Sequence, residues 1–441
     1  MGGGLPDGVP ALRRGRLHHR SGAGQRRGTD RPALVANAAG RQIPTDRVRR
    51  TARQVLEAND RGDHTVASPH VYPYQWLWDS GFIALGWATI DGARAWRELE
   101  TVLRGQAPDG FVPHVLAHRA PGRRFPDPDL WGRPGDPATS GITQPPVLAS
   151  VALRLLEHAR GAGAQSRRQG EAAALRLWPS LMAFHRWLHR ERDPLGLGLV
   201  VSVHPWETGM DDSPAWDSPL AAVAPRAGPG PPELPGPTAD RPGAAAYPRY
   251  LGLVDELRAA GYQGSALAVK GSFRVADAGT NAVMARADAD LALLGRRLGA
   301  AAGDVEEARG WARRSAEALS TLWDDDAGHF LSHDLVTGRA LRPATSASFL
   351  GLWSGAASPS QVQSLAAHVE GWARGWHPVP SSDPEAASFD PRGFWRGSVW
   401  VNVNWMIAQG LGEHGEGALA QRMAADSRAL LQGAGMREHF H

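Results

Sequence analysis

The chain has 441 residues, 42% hydrophobic and 21% charged, with 52 Gly, 34 Pro, no Cys, and 17 Trp against 10 Phe and 5 Tyr. This globular composition has room for one large domain or two ordinary ones, and the missing cysteines exclude disulfides, zinc–cysteine sites, iron–sulfur clusters and a thiol nucleophile. The net charge of +3 is unevenly spread: residues 1–45 carry eight Arg and two Asp, so the remainder is at −3, the wrong footprint for a nucleic-acid-binding body.

Residues 1–43 are rich in Gly, Pro and Arg without apolar periodicity and read as a disordered basic extension. They lack the apolar stretch of a secretory signal, and nothing in the chain approaches the roughly 18 to 20 apolar residues of a membrane helix. A cytoplasmic protein with no membrane or nucleic-acid partner is the expectation. From Thr45 an N-cap residue is followed by Val48, Ala52, Val55 and Leu56, an amphipathic helix. Further helix-like segments fall at about 78–90, 91–106, 145–160, 170–192, 247–260, 277–300, 302–324, 343–353, 359–372, 398–411 and 416–432. Period-2 alternation is rare, so an all-α protein is predicted. Roughly twelve helices, joined alternately by short turns and by long loops rich in Pro, Gly and aromatics, point to one α/α toroid over 44–441. Its long loops would gather at one end and carry function. The Pro/Gly-rich insertion at 221–246 reads as a mobile surface loop.

Four loop segments hold more polar and aromatic residues than packing requires: Tyr72–Asp79, Thr139–Pro146, His204–Pro214 and Phe394–Trp400. In the third, Glu207, Asp211 and Asp212 follow Trp206. A carboxyl beside an indole meets a low dielectric, which raises its pKa and keeps it protonated, as a general acid requires. The same spacing also suits a solvated turn with an Asx-type bond at Asp212-Ser213-Pro214. Phosphate loops, HExxH and GxSxG are absent, Lys270 is the only lysine, and His114 and His204 alone among the histidines keep suggestive company. Carboxylates remain as catalysts, with Trp and Arg as binders, a set that suits glycoside hydrolysis.

At these segments the chain resembles glycoside hydrolase family 63, in particular its small bacterial mannosylglycerate and glucosylglycerate hydrolases. The resemblance runs from about Thr45 onward through YPYQWLWDSGF, QAPDGFVPH, GITQPP, HPWETGMDDSP, FWRGSVWVNVNW and a terminal REHF, in the order the family shows them. It implies an (α/α)6 barrel and an inverting reaction on a small-molecule sugar, with neither cofactor nor metal. By motif, Asp211 falls on the general acid and Glu438 on the general base. Trp76 and Asp79 fall on a glycone-binding pair, Tyr72 lines the same pocket, and Gln144, Trp206 and Trp400 extend it with Trp395 as a neighbour. Arg249 or Tyr250 falls near where a glycerate carboxylate would sit. Trp78, Trp87, Trp96, Trp178, Trp187 and Trp311, at helical spacing, are expected in the core.

The chain departs from the family pattern at Thr208 for Ser, Phe394 for Tyr, Ser398 for Pro and His439 for an aromatic. It also stops at His441, without the family's Gly-rich loop and final apolar helix. This predicts a barrel lacking that helix, with Glu438 on an untethered end. Other readings on the same fold are a trehalase-like α-glucosidase and a sugar-binding protein without turnover.

Overall fold

A computed structural model describes residues 45–118, 128–133, 138–228 and 246–441. The extension expected at 1–43 and the middle of the 221–246 insertion lie outside these residues. In chain order the helices are α1 (Thr45–Asn59), α2 (Leu77–Ala88), α3 (Gly92–Arg104), the one-turn α4 (Pro128–Trp131), α5 (Leu148–Gly161), α6 (Ala164–Glu191), the short α7 (Asp217–Ala221), α8 (Tyr247–Ala259), α9 (Gly264–Lys270), α10 (Ala278–Leu298), α11 (Ala302–Leu319), the one-turn α12 (Gly351–Ser354), α13 (Pro359–Trp372), α14 (Val401–Glu413) and α15 (Gly417–Ala434).

Local chemistry sets the helix ends. Asp91 caps α3 by accepting from the backbone N–H of Ala93 and Arg94, and Asp277 caps α10 through Thr280. Ser358 and Gln361 form a reciprocal capping box at α13 with Pro359 in the first turn, which is why that helix spans the residues its periodicity predicts. Helix α6 starts earlier than predicted because Ala164–Gln169 extend it with good helix formers that carry no apolar stripe. The segment expected as one helix at 343–353 is instead a 3-10 turn, Ser346–Phe349, capped by Thr345, followed by α12. Gly351 divides the two where the Phe330 ring lies against its backbone.

The long helices pack as sequential pairs, α2 with α3, α5 with α6, α10 with α11 and α14 with α15, and the inner members follow one another as α2, α5, α10, α12 and α14. Helix α1 touches both α2 and α15, and Phe82 of α2 meets Trp405 of α14 edge-on at 6.1 Å between ring centroids. The result is the α/α toroid expected from the sequence. Trp87, Trp96, Trp178, Trp187 and Trp311 are all buried in its main core.

Small sheets in the long loops qualify the all-α expectation. Strand β1 (Gln75–Trp76) pairs antiparallel with β2 (Val115–Leu116), β6 (His333–Asp334) lies antiparallel between β3 (Val275–Ala276) and β7 (Arg339–Ala340), and β4 (Trp323–Asp324) pairs with β5 (His329–Phe330). Two-residue strands leave no period-2 signal to read. A second apolar cluster sits under these loops, built from Trp131, Ile142, Val203, Trp206, Trp216, Tyr250 and Phe273 among others. The long loops therefore have a core of their own and act as a rigid platform.

Candidate active site

The site is built where β1 hands over to α2. Antiparallel pairing of Gln75 with Leu116 and Trp76 with Val115 places the Tyr72–Asp79 segment beside His114. The His114 N–H donates to Ile142 O at 2.8 Å, and Leu116 bridges to Thr139, so the GITQPP segment lies on the other side of β2. The Trp78 N–H then donates to Gln144 Oε1 at 3.2 Å. Tyr72, Trp76, His114, Trp131 and Trp206 follow one another as near neighbours, with centroid spacings of 5.8, 5.3, 5.5 and 6.0 Å.

Within this aromatic wall several polar groups stand uncommitted. Trp76 Nε1 and His114 Nε2 are buried with no hydrogen-bond partner among the described residues. His114 Nδ1 lies 2.5 Å from Ser140 Oγ, and burial together with the nearby His204 pushes its pKa well down, so the ring is neutral. If Ser140 donates to Nδ1, the proton sits on Nε2, a free donor inside the site. Gln144 is buried with its oxygen bound to Trp78, which leaves its amide hydrogens to donate. Asp79, in the first turn of α2, has only its own backbone N–H as a hydrogen-bond partner among the described residues, and burial raises its pKa to about 6. A desolvated carboxylate without a counter-ion is costly to keep, and such groups gather where a ligand supplies the missing donors.

The HPWETGMDDSP segment is a 3-10 turn, Pro205–Thr208, capped by His204. His204 Nδ1 accepts from the Trp206 N–H at 3.1 Å, its Nε2–H donates to Tyr250 O at 3.1 Å, and burial holds its pKa down to about 3. Gly209 ends the turn at φ +70°, and a Cβ there would come within 2.6 Å of the Trp78 ring, so both its backbone and its packing demand glycine. Asp211 follows, half-buried, with its backbone fixed on both sides. Trp216 Nε1–H donates to Met210 O at 2.7 Å, and the Tyr250 hydroxyl donates to Asp211 O at 2.7 Å. Tyr250, expected near a glycerate carboxylate, is fully buried here and holds the Asp211 loop; Arg249 lies beside it, half-buried, in the first turn of α8. Burial raises the pKa of the neighbouring Asp212, to about 7, against the opposing charge of Arg396 and with help from Asp217.

Arg396 ties this loop to FWRGSVW. Its Nε lies 3.4 Å from Asp212 Oδ2, and its two terminal nitrogens donate to the Asp217 carboxylate. Trp395 and Trp400 stack face to face at 3.8 Å and 7°, and Trp395 lies 6.4 Å from Trp78. Trp395 is almost without exposed surface, and Trp400 Nε1–H donates to Phe394 O, so both are held rigidly.

Glu438 is exposed, yet the expectation of an untethered end does not hold. Phe440 and Val399 exchange two backbone hydrogen bonds, at 2.7 and 3.0 Å, and His439 is buried with its ring stacked on Trp400 at 5.2 Å. The segments singled out by sequence are thereby joined in one place. What the sequence reading missed is the connecting hardware, Arg396, Trp216 and Ser140, whose partners are distant in the chain. Among the described residues no cluster of His, Asp and Glu is arranged for a metal ion, and no helix is long and apolar enough to cross a membrane.

Residues 72–441 match the family described as the mannosylglycerate hydrolase MGH1-like glycoside hydrolase domain. The mannosylglycerate hydrolase of Thermus thermophilus is 43% identical over 88% of this chain and 94% of its own length. The glucosylglycerate hydrolase of Mycolicibacterium hassiacum is 34% identical over 90% of each. The crystal structure of the family 63 mannosylglycerate hydrolase from Thermus thermophilus in complex with Tris and D-glycerate superposes with a TM-score of 0.84 at 44% identity, covering 89% of this chain and 94% of that one. The chain therefore belongs to the MGH1-like mannosylglycerate hydrolase family of glycoside hydrolases.

Proposed function

We propose that this glycosidase hydrolyses an α-hexosyl glycerate, mannosylglycerate or glucosylglycerate, to the free hexose and glycerate with inversion at C1. The observation that carries the reading is the nearness in the chain of Asp79, a desolvated carboxylate with no counter-ion among the described residues, and the Trp76 indole, whose Nε1 has no partner among them, in a wall of rings. A pyranose supplies what both lack, hydroxyl donors for the carboxylate and an apolar face for the indole. Relatives at 34 to 43% identity named for hexosylglycerates favour this over a trehalose-like substrate.

In this reading Trp76, Asp79 and Gln144 hold the hexose. Asp211 delivers its proton to the glycosidic oxygen as the C1–O bond breaks. Glu438 takes a proton from the water whose oxygen bonds to C1 from the opposite face. Glycerate leaves as an alcohol with its carboxylate intact, near Arg249. The test is incubation with both compounds while the anomeric proton signal is followed by NMR. The β-hexose should appear first and mutarotate later, and Asp211→Asn should abolish turnover. Release of the α-hexose first, or undiminished turnover by that variant, would overturn the proposal.

A further inference from the structure

Glu207 lies four positions before Asp211 and has so far played no part in the chemistry. Its side chain is 3% exposed and saturated with donors from three directions. Oε1 accepts from Arg192 Nη2 at 2.6 Å and from the Thr143 N–H at 3.3 Å, and Oε2 accepts from the Val203 N–H at 2.9 Å. Thr143 precedes Gln144, Val203 is the root of the Asp211 loop, and Arg192 is the C-cap of α6, the longest helix described. Arg192 is itself anchored, its backbone bonded to Leu188 and Val201 and its guanidinium lying 4.8 Å from the Trp187 ring. One carboxylate thus joins the loop that grips the sugar, the loop that carries the proposed acid, and a helix of the toroid.

The path from Glu207 to Asp211 has little slack. Thr208 Oγ1 donates to Pro205 O at 2.7 Å and accepts from the Met210 N–H at 3.1 Å, Gly209 is pressed on Trp78, and Met210 O is held by Trp216. A shift at Glu207 therefore moves Asp211. An amide cannot replace the carboxylate, because all three partners are donors and the NH2 of Gln would face one of them.

We infer that Glu207 is a positioning residue, which locks the Gln144 loop to the Asp211 loop and so aims the acid at the leaving oxygen of the sugar bound beside it. The inference rests on Asp211 being the acid. Misplacing a reacting group by about 1 Å costs on the order of a hundredfold in rate, and the loss concerns proton delivery rather than sugar binding. It therefore falls on substrates whose leaving group needs a proton. An α-hexosyl fluoride needs little, since fluoride departs as the C1–F bond breaks and water adds to C1 with Glu438 taking its proton.

The experiment compares Glu207→Gln with the wild type on the preferred hexosylglycerate and on the matching α-hexosyl fluoride. The expected result is a loss of roughly a hundredfold in kcat on the glycerate with KM within about threefold, and a loss of under about fivefold on the fluoride. Because the single variant leaves Arg192 buried without its partner, Glu207→Gln/Arg192→Met is measured as well. It removes that charge while keeping the tie cut, and should show the same dependence on leaving group. Equal losses on both substrates in the double variant, or no loss on either, would overturn the positioning role. Asp211→Asn run in parallel reads the acid assignment separately. If it loses fluoride activity as severely as glycerate activity, the assignment fails and the inference with it; if only the Glu207 variants do, the assignment stands and the positioning role fails.

Discussion

Consider the replacement of Asp79 by Asn, which keeps the shape of the side chain and removes its charge. Burial raises the Asp79 pKa from 3.8 to about 6, a shift of roughly two units, worth ~3 kcal/mol against the folded state once the group is ionised. The sign follows from proton uptake. The folded chain holds the proton more tightly than the unfolded one, so stability declines as pH rises from about 4 to about 6 and stays lower above that. Asn avoids this cost. At about 2.1 cal/mol/K per residue over some 400 folded residues, the variant should melt about 3 to 4 °C above the wild type at neutral pH, and the gap should close below about pH 4, where Asp79 is protonated in both states. Activity moves the other way: each hydrogen bond lost from a sugar hydroxyl to a charged acceptor is worth about 1.5 to 3 kcal/mol, or tenfold to a hundredfold in kcat/KM. Calorimetric melting between about pH 3.5 and 8, beside kcat/KM on the hexosylglycerate, tests both halves. A variant no more stable at neutral pH, or a pH-independent gap, would refute the desolvation argument, and full activity would remove Asp79 from sugar binding.

Asp212→Asn should retain most activity and lose any titration near pH 7, whereas Asp211→Asn should be inactive; the reverse pattern in pH–rate profiles would move the acid by one residue. In Asp288, burial alone would raise the pKa, but the charge of His189 and hydrogen bonds from His185 and His189 outweigh it and hold the carboxyl well below the usual range. This contribution to stability is present above about pH 4 and is lost as the pH falls further. Asp288→Asn, which also weakens the 2.7 Å bonds to His185 and Ser315, should cost about 3 to 5 kcal/mol at neutral pH by denaturant titration. Phe440→Ala, which removes a buried ring at the bridge beside Glu438, should lower kcat more than tenfold and the melting temperature by about 4 to 6 °C; an unchanged kcat would separate that bridge from catalysis.

The helices were legible because an apolar stripe repeating every 3.6 residues is a local signal, and a capping box such as Ser358–Gln361 marks a boundary in a few residues. The segments of the site were legible for a different reason: Pro, Gly, Trp and carboxylates concentrate there beyond what packing needs. Neither signal reaches across the fold. That Trp78 serves Gln144 through its backbone and Gly209 through its ring is set by the toroid, which brings these segments to one end. The two-residue strands were invisible for the same reason, since a single pair of hydrogen bonds to a distant partner leaves no period. Asp212 illustrates the limit most sharply. Spacing places it near Trp206, and nothing in that spacing shows that Arg396, far along the chain, lies 3.4 Å from its carboxylate.

These links also explain why a site can sit on loops without being loose. Glu207 to Thr143, Trp216 to Met210 and Phe440 to Val399 are hydrogen bonds shielded from water, joined by the part-buried bond of Tyr250 to Asp211, where an unmade bond costs about 1 to 3 kcal/mol and a displaced loop must break several together. The same shielding that makes the ties strong raises the pKa values of Asp79 and Asp212, because the low dielectric acts on carboxylates with and without donors alike. Rigidity of the platform and the raised pKa values of its carboxylates therefore have one source. A substitution that admits water to the loops should lower the Asp79 pKa toward 3.8 and weaken sugar binding together, even when it touches neither Asp79 nor the sugar.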